Sequence, residues 1–332
     1  MQLRAILKPN RLPFSISHQD TILTLGSCFS ENIGDRFGNY KFNIVINPFG
    51  QQYNPHSIAN GLHRLVTNQV YKSEELFEFA EQFHSWDFHS DYSDSNREDA
   101  LENMNQSFRT AREQLLKANY LFITFGTAHL FRHNESAIDV SNCHKISGSQ
   151  FSKRYLKTDE IVGLMTNAIN EVRKVNPTCK IIFTVSPVRY LAFGFEENNL
   201  SKAYLISAVH ELCSSLSETY YFPAYELVMD DLRDYRFFTE DFLHPNRMAT
   251  QYVWENLANT IFNDDTKSLL TEIDKVLSAA NHRPRNPLSN AHRSFLTKFL
   301  TLAEQLELSH PYLNFNSEKA LFNNGLQQIS TS

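Results

Sequence analysis

Glycine is scarce in this chain, at ten residues in 332. The one residue that takes positive φ without strain therefore stands in few places, and each place is informative. Gly26, Gly50 and Gly126 each follow an apolar run, where a tight turn or a close backbone approach to a ligand calls for glycine. Cysteine is sparse too: Cys28, Cys143, Cys179 and Cys213 are far apart and form no CxxC. That spacing reads as free thiols in a reducing compartment rather than a disulfide framework. No Lys/Arg-rich run interrupts a chain of net charge -6, so the electrostatic footprint of a nucleic-acid partner is missing. No apolar run approaches the roughly 20 residues of a membrane span. The opening "MQLRAILKPNRLPF" lacks the apolar core of a signal peptide. Repeats and low-complexity tracts are absent as well. The expectation is a cytoplasmic protein with neither a nucleic-acid nor a membrane partner.

What the chain does have is apolar residues, at 42%, with an aromatic share made mostly of Phe and Tyr. Five β-like runs stand out: "TILTL" (21–25), "FNIVI" (42–46), "YLFITF" (120–125), "KIIFTVS" (180–186) and "YYFPAYELVM" (220–229). The first four are nearly continuous in apolar residues, as strands covered on both faces would be. Segments of helical spacing lie between them, and strand-then-helix repetition predicts a parallel sheet with helices on both faces. Five strands suit a flavodoxin-like order 2-1-3-4-5, in which ligands sit where the chain reverses direction, beyond the carboxyl ends of strands 1 and 3. "GSCFS" and "GTAH" follow those two strands. The α/β domain is expected to span residues 1–264, with a loop and helical insertion at about 56–118. Residues 265–332 read as a helical appendage, either packed on the core or used for association, a homodimer included. Its last stretch, "NSEKALFNNGLQQISTS", is expected to fray.

Four groups of residues could carry chemistry. "LGSCFS" sets Ser27 and Cys28 at a strand-to-helix turn, where helix N–H groups favour negative charge, lower a thiol pKa and can hold an oxyanion. The bland alternative is a Ser cap beside a buried Cys. "TEDFLHPNRMA" sets Asp241 and His244 three apart, before a helix that Pro245 can start at its first position. A carboxylate there can hold one imidazole nitrogen and leave the other as a base. "NPFGQQYNP" and "TFGTAH" offer the N–H groups of Gly50 and Gly126, with Asn47 or Thr127 as side-chain donors, or else ordinary turn chemistry. Arg189, Asp231, Arg233, Asp234 and Arg236 are dense past strands 4 and 5, and their alternating signs favour an ion-pair network over an anion site. For a metal, His129 and His133 have the four-residue spacing of one helix face, and Cys143 adjoins His144, yet no ligand set is complete. No metal or cofactor is expected.

Taken in order, "LGSCFSENIG", "NPFGQQYNP", "TFGTAHLF", "NCHK", "TVSPVR", "NNLSKAYL", "YFPAYELVMDDLRDYRF" and "DFLHPN" resemble the blocks of the GSCFA family, a bacterial family named for its N-terminal motif. Ser30 stands where the family name has Ala. That family is similar in turn to the SGNH (GDSL-type) hydrolases, whose members are esterases, lipases, carbohydrate deacetylases and some acyltransferases on a five-stranded flavodoxin-like sheet. The resemblance implies His244 as base, Asp241 as its orienter and Gly50 as an oxyanion donor. An ungapped match of Gly-Asp-Ser to Gly26-Ser27-Cys28 puts Cys28 at the nucleophile position, and a one-residue slip puts Ser27 there. The Gly-x-Asn block has no Asn here, only Gly126-Thr127-Ala128, so Asn47, Thr127 or His129 would have to supply that donor. The implied activity is hydrolysis of an acyl ester, with an acylated carbohydrate or other small molecule as substrate, bound by Gly26, Asn47, Gly50, Gly126, Thr127, His129 and Arg189. Acyl transfer by the same residues, or ligand binding on a hydrolase scaffold without catalysis, are the alternatives.

Overall fold

The computed structural model describes residues 5–330. The first four residues and the last two, included in the terminal segments read above, lie outside the described residues. The chain divides into two compact units. One holds residues 21–35 and 44–257 with the N-terminal stretch to Asn10; the other holds Arg11–Asp20, Arg36–Asn43 and the chain from Ala258.

The first unit is organised by a sheet of β1 (Thr21–Gly26), β2 (Asn43–Ile46), β5 (Tyr120–Phe125), β9 (Lys180–Val185) and β10 (Thr219–Tyr221), in the spatial order β2-β1-β5-β9-β10. Numbered within this sheet, that is 2-1-3-4-5, as the apolar runs predict. The pairs β1–β5, β5–β9 and β9–β10 are parallel. All six residues of β1 and of β5 are buried, which is why they read as unbroken apolar runs. Strand β2 differs from expectation, because it is an edge strand with no fully buried residue. Alternation then sorts the side chains. Leu23, Leu25, Leu121, Ile123, Ile181 and Phe183 join a core with α2 (Pro55–Thr67), α3 (Arg97–Lys117), α4 (Thr158–Val175) and α5 (Phe195–Ser215). Thr24, Phe122, Thr124 and Thr184 meet Phe29 and Ile33 of α1 (Cys28–Asn39) and Leu257 of α7 (Arg247–Ile261) on the other face.

Three local expectations are corrected. The fifth run is a strand only over Thr219–Tyr221. Pro223 has no N–H for a ladder, and the chain turns into α6 (Ala224–Glu226) and a π-helical stretch, Leu227–Leu232. Helix α7 is capped by Asn246, whose side chain accepts from Met248 N at 3.0 Å and Ala249 N at 3.2 Å, so Pro245 precedes the cap instead of opening the helix. His133 and His129 do not lie on a helix. They are on β6 (His129–His133), the centre of an antiparallel sheet with β7 (Asp139–Val140) and β8 (Phe151–Tyr155). A further hairpin, β3 (Phe77–Phe79) with β4 (Gln82–His84), lies in the insertion.

In the second unit, α8 (Asp264–Ala280), α9 (Asn290–Ser309) and α10 (Asn316–Ser330) bury Ile273, Val276, Leu296, Ala303, Phe315 and Phe322. The expected fraying of the last stretch is overturned, since α10 is helical to Ser330 and Phe322 is 1% exposed. Lys41 pairs with Glu318 at 2.7 Å, and Tyr40 donates to Asp274 at 3.1 Å. No helix among the described residues is long and apolar enough to cross a membrane.

Candidate active site

Strand β1 ends on Gly26 at φ 148, and a Cβ there would lie 2.3 Å from the carbonyl oxygen of Thr124 on β5. Only glycine lets the two strands approach this closely at the switch point between β1 and β5. Ser27 follows, its N–H donating to Thr124 O at 3.2 Å and its carbonyl taking the first bonds of α1 from Ser30 and Glu31. Its side chain is sealed in, at 1% exposed, with no partner for Oγ. Cys28 opens the helix, is half-buried, and lines a cavity of about 850 Å³. Ser27 also touches that cavity.

Helix α1 does not lower the Cys28 thiol as its N-terminal position predicts. Burial pushes the thiol pKa up, against the downward pull of the Phe29 N–H and the charge of Lys202. Cys28 therefore rests as a neutral thiol at neutral pH.

His244 lines the same cavity. Its Nδ1 lies 2.6 Å from Oδ2 of Asp241. The other carboxylate oxygen of Asp241 accepts from Thr239 Oγ1 at 2.6 Å, Leu243 N at 2.8 Å and His244 N at 3.0 Å. Thr239, the two N–H groups and the imidazole hold this carboxyl well below the usual carboxylate range. An ionised Asp241 only accepts, so Nδ1 is the donor of this pair, and in the neutral ring the lone pair falls on Nε2. Phe242, at φ 61, turns the chain back so that carboxylate and imidazole meet.

The remaining sequence-predicted residues divide. Gly126, Thr127, His129 and Arg189 line the cavity, whereas Gly26, Asn47, Gly50 and Asp241 do not. The expected oxyanion role of Gly50 is corrected: its N–H is taken by Asn47 O at 2.7 Å, and its missing Cβ makes room for His89. The N–H groups of Gly126 and Thr127 are likewise committed, both to Tyr53 O, at 2.8 and 2.9 Å. Asn47 directs its amide behind the turn, to Ser27 O at 3.4 Å. The Cys28 N–H has no such commitment among the described residues. Of the ion-pair network expected past strands 4 and 5, the described residues show one pair. Asp234 pairs with Arg236 at 2.8 Å, Asp231 accepts from Leu7 N and Tyr252 Oη, and Arg189 faces the cavity instead. Among the described residues no group of three His, Cys, Asp or Glu side chains could hold a metal ion. His144 is instead tied by Nε2 to Ser85 O at 2.8 Å and by Nδ1 to Ser90 Oγ at 3.0 Å.

Four residues were not assigned to this site from the sequence. Lys202, on α5, is fully buried and donates to Gly126 O at 2.6 Å and Ser186 O at 2.7 Å; burial lowers its pKa to about 7. Its neighbour Ser201 accepts from Ala128 N at 2.7 Å. Together they pin the segments after β5 and β9 beneath the cavity. Cys143 lines the wall with a thiol that burial raises to about 11. Asn54 caps α2 through Ser57 N at 2.9 Å and also faces the cavity. "NNLSKAYL" and "NCHK" were visible as blocks, but a lysine within a helix reads as surface.

No curated protein matches the sequence significantly. Among solved structures, a mutant acetyl esterase with an acetate ion is similar at 10% identity and a TM-score of 0.36, over 77% of this chain and 100% of the other. A carbohydrate esterase family 3 protein from Talaromyces cellulolyticus is similar at 10% identity and a TM-score of 0.35, over 76% of this chain and 99% of the other. The family model described as GSCFA family matches residues 21–257, and the model described as GSCFA domain protein, C-terminal domain matches residues 273–328. The chain belongs to the GSCFA family.

Proposed function

We propose that the protein hydrolyses an acyl ester through a thioester on Cys28, with an acylated small molecule or carbohydrate as substrate. One observation carries this reading: Cys28 and His244 line a single cavity while Asp241 holds the far side of the imidazole at 2.6 Å. Because the Cys28 thiol is neutral at rest, its proton passes to Nε2 of His244 as Sγ attacks the acyl carbon. The oxyanion that forms takes the Cys28 N–H. The carbonyl re-forms, the ester C–O bond breaks, and His244 returns the proton to the leaving alcohol. In the second half His244 takes a proton from water, the resulting hydroxide attacks the thioester, and the carboxylic acid leaves as Cys28 regains its proton. Asp241 stays ionised throughout and stabilises the imidazolium. Ser27 is the poorer nucleophile candidate, because its Oγ is sealed and has no hydrogen-bond partner to take its proton.

The size of the cavity favours one second reading. At about 850 Å³ it has room for an acceptor beside an acyl donor, so a sugar hydroxyl could replace water in the second half.

The test is intact mass and nitrophenol release with p-nitrophenyl acetate, for wild type, Ser27→Ala, Cys28→Ala and His244→Ala. An acetyl adduct lost in Cys28→Ala and slowed in His244→Ala is the expected result. Loss in Ser27→Ala with Cys28→Ala still active would move the nucleophile to Ser27. Neither adduct nor release in wild type would sink the esterase reading.

A further inference from the structure

The cavity has a charge imbalance that ester chemistry by itself does not need. None of the residues lining it is Asp, Glu or Lys, and Arg189 supplies its one permanently charged side chain. Arg189 Nε is buried without a hydrogen-bond partner, and the guanidinium joins no ion pair among the described residues. Its charge lies 5.7 Å from the centre of the Phe195 ring, a weak neighbour compared with a carboxylate. Lys202, behind the floor, is bonded only to carbonyl oxygens and offers the cavity no free donor.

His129 lines the same cavity. It is 1% exposed, and neither Nδ1 nor Nε2 has a partner. Tyr155, Phe193 and Tyr190 surround its ring at 4.6, 5.2 and 5.8 Å between centroids. Burial and the charge of Lys153 lower its pKa to about 4, so at neutral pH the ring offers one N–H donor and one lone pair. A buried polar atom left unpaired costs about 1–3 kcal/mol, and two such residues lining one cavity point to a ligand group that completes both.

We propose that Arg189 and His129 form an anion subsite in this cavity, which takes a carboxylate or phosphate group carried by the substrate. This deepens the esterase reading and rests on it for the word substrate. The guanidinium supplies charge and paired N–H donors matched to either anion, and the neutral imidazole adds one N–H. The ester favoured would then be that of a dicarboxylic acid, or an acylated sugar phosphate or sugar acid, over a neutral acetate.

Calorimetric binding tests this without requiring turnover. Glutarate, inorganic phosphate and the neutral isostere glutaramide are titrated into the wild-type chain and into Arg189→Gln, Arg189→Lys and His129→Phe. Each variant is checked first for a native unfolding transition. We expect at least one of the two anions to bind about tenfold or more tightly than glutaramide, with that margin lost in Arg189→Gln, reduced in His129→Phe and partly kept in Arg189→Lys. Equal binding of anion and amide, no anion binding, or undiminished anion affinity in Arg189→Gln would overturn the subsite. Release from p-nitrophenyl acetate, followed in parallel, separates the two readings. Hydrolysis without anion binding removes the subsite alone, and Arg189-dependent anion binding without hydrolysis or adduct keeps the subsite and removes the esterase.

Discussion

The Cys28 end and the His244 end of the cavity are held by different means. Around Cys28 the support comes from the core: Ser27 is 1% and Thr127 8% exposed, and the N–H groups of Ser27, Gly126 and Thr127 are all committed to carbonyls of distant segments. Lys202 ties two of those segments from beneath. Around His244 the support is local. The side chains of His244 and Asp241 are 48% and 45% exposed, and the bonds that fix them run between residues 236 and 246. A change at the floor is therefore felt in folding, whereas a change in the loop is felt in chemistry.

The largest effect that would sharpen this contrast is in the loop. His244→Ala is expected to slow nitrophenol release by about a thousandfold to ten-thousandfold, while moving stability by no more than about 0.5 kcal/mol. A large shift of the urea midpoint would break the comparison, because it would make the loop part of the core. Next comes Gly26→Ala, whose new Cβ would meet Thr124 O at 2.3 Å with φ at 148. It is expected to cost on the order of 3 kcal/mol in urea unfolding, or to abolish folding. Near-wild-type stability would show that the floor yields.

Lys202→Met is smaller, and it has a signature in pH. It removes the donor to Gly126 O and Ser186 O, which should cost about 2 kcal/mol. In the folded chain burial lowers the Lys202 pKa to about 7, against 10.5 for an ordinary lysine. Between those values the unfolded chain binds more protons, so the Lys202 contribution to stability rises as pH rises through the window. The gap between wild type and Lys202→Met should accordingly widen from pH 7 to pH 10 in urea unfolding. A gap independent of pH would mean that the amine is charged in place.

The sheet was legible because β1, β5 and β9 are covered on both faces, and full burial writes itself as unbroken apolar runs. Strand β10 was overextended because the apolar run continues through Pro223, where the ladder has to stop. The β6–β8 strands, "HLFRH" and "FSKRY", carry exposed polar residues and too few apolar ones to show a period. At the site, Ser27, Cys28, Asp241 and His244 were readable because turn and loop residues carry local patterns. Lys202 was not, since its burial is set by two carbonyls that lie 76 and 16 residues away in sequence. Gly50 was misread for a related reason: whether a backbone N–H is free depends on where Asn47 O lands, and composition does not record that.

The half-buried Cys28 has a consequence for redox chemistry. Peroxides and alkylating agents react with thiolate, and a thiol whose pKa burial has raised presents little of it at neutral pH. In the proposed mechanism, where Cys28 ionises only as its proton moves to His244, the thiol is chemically quiet between turnovers. It should withstand mild oxidant that would convert an exposed, thiolate-rich cysteine to the sulfenic acid.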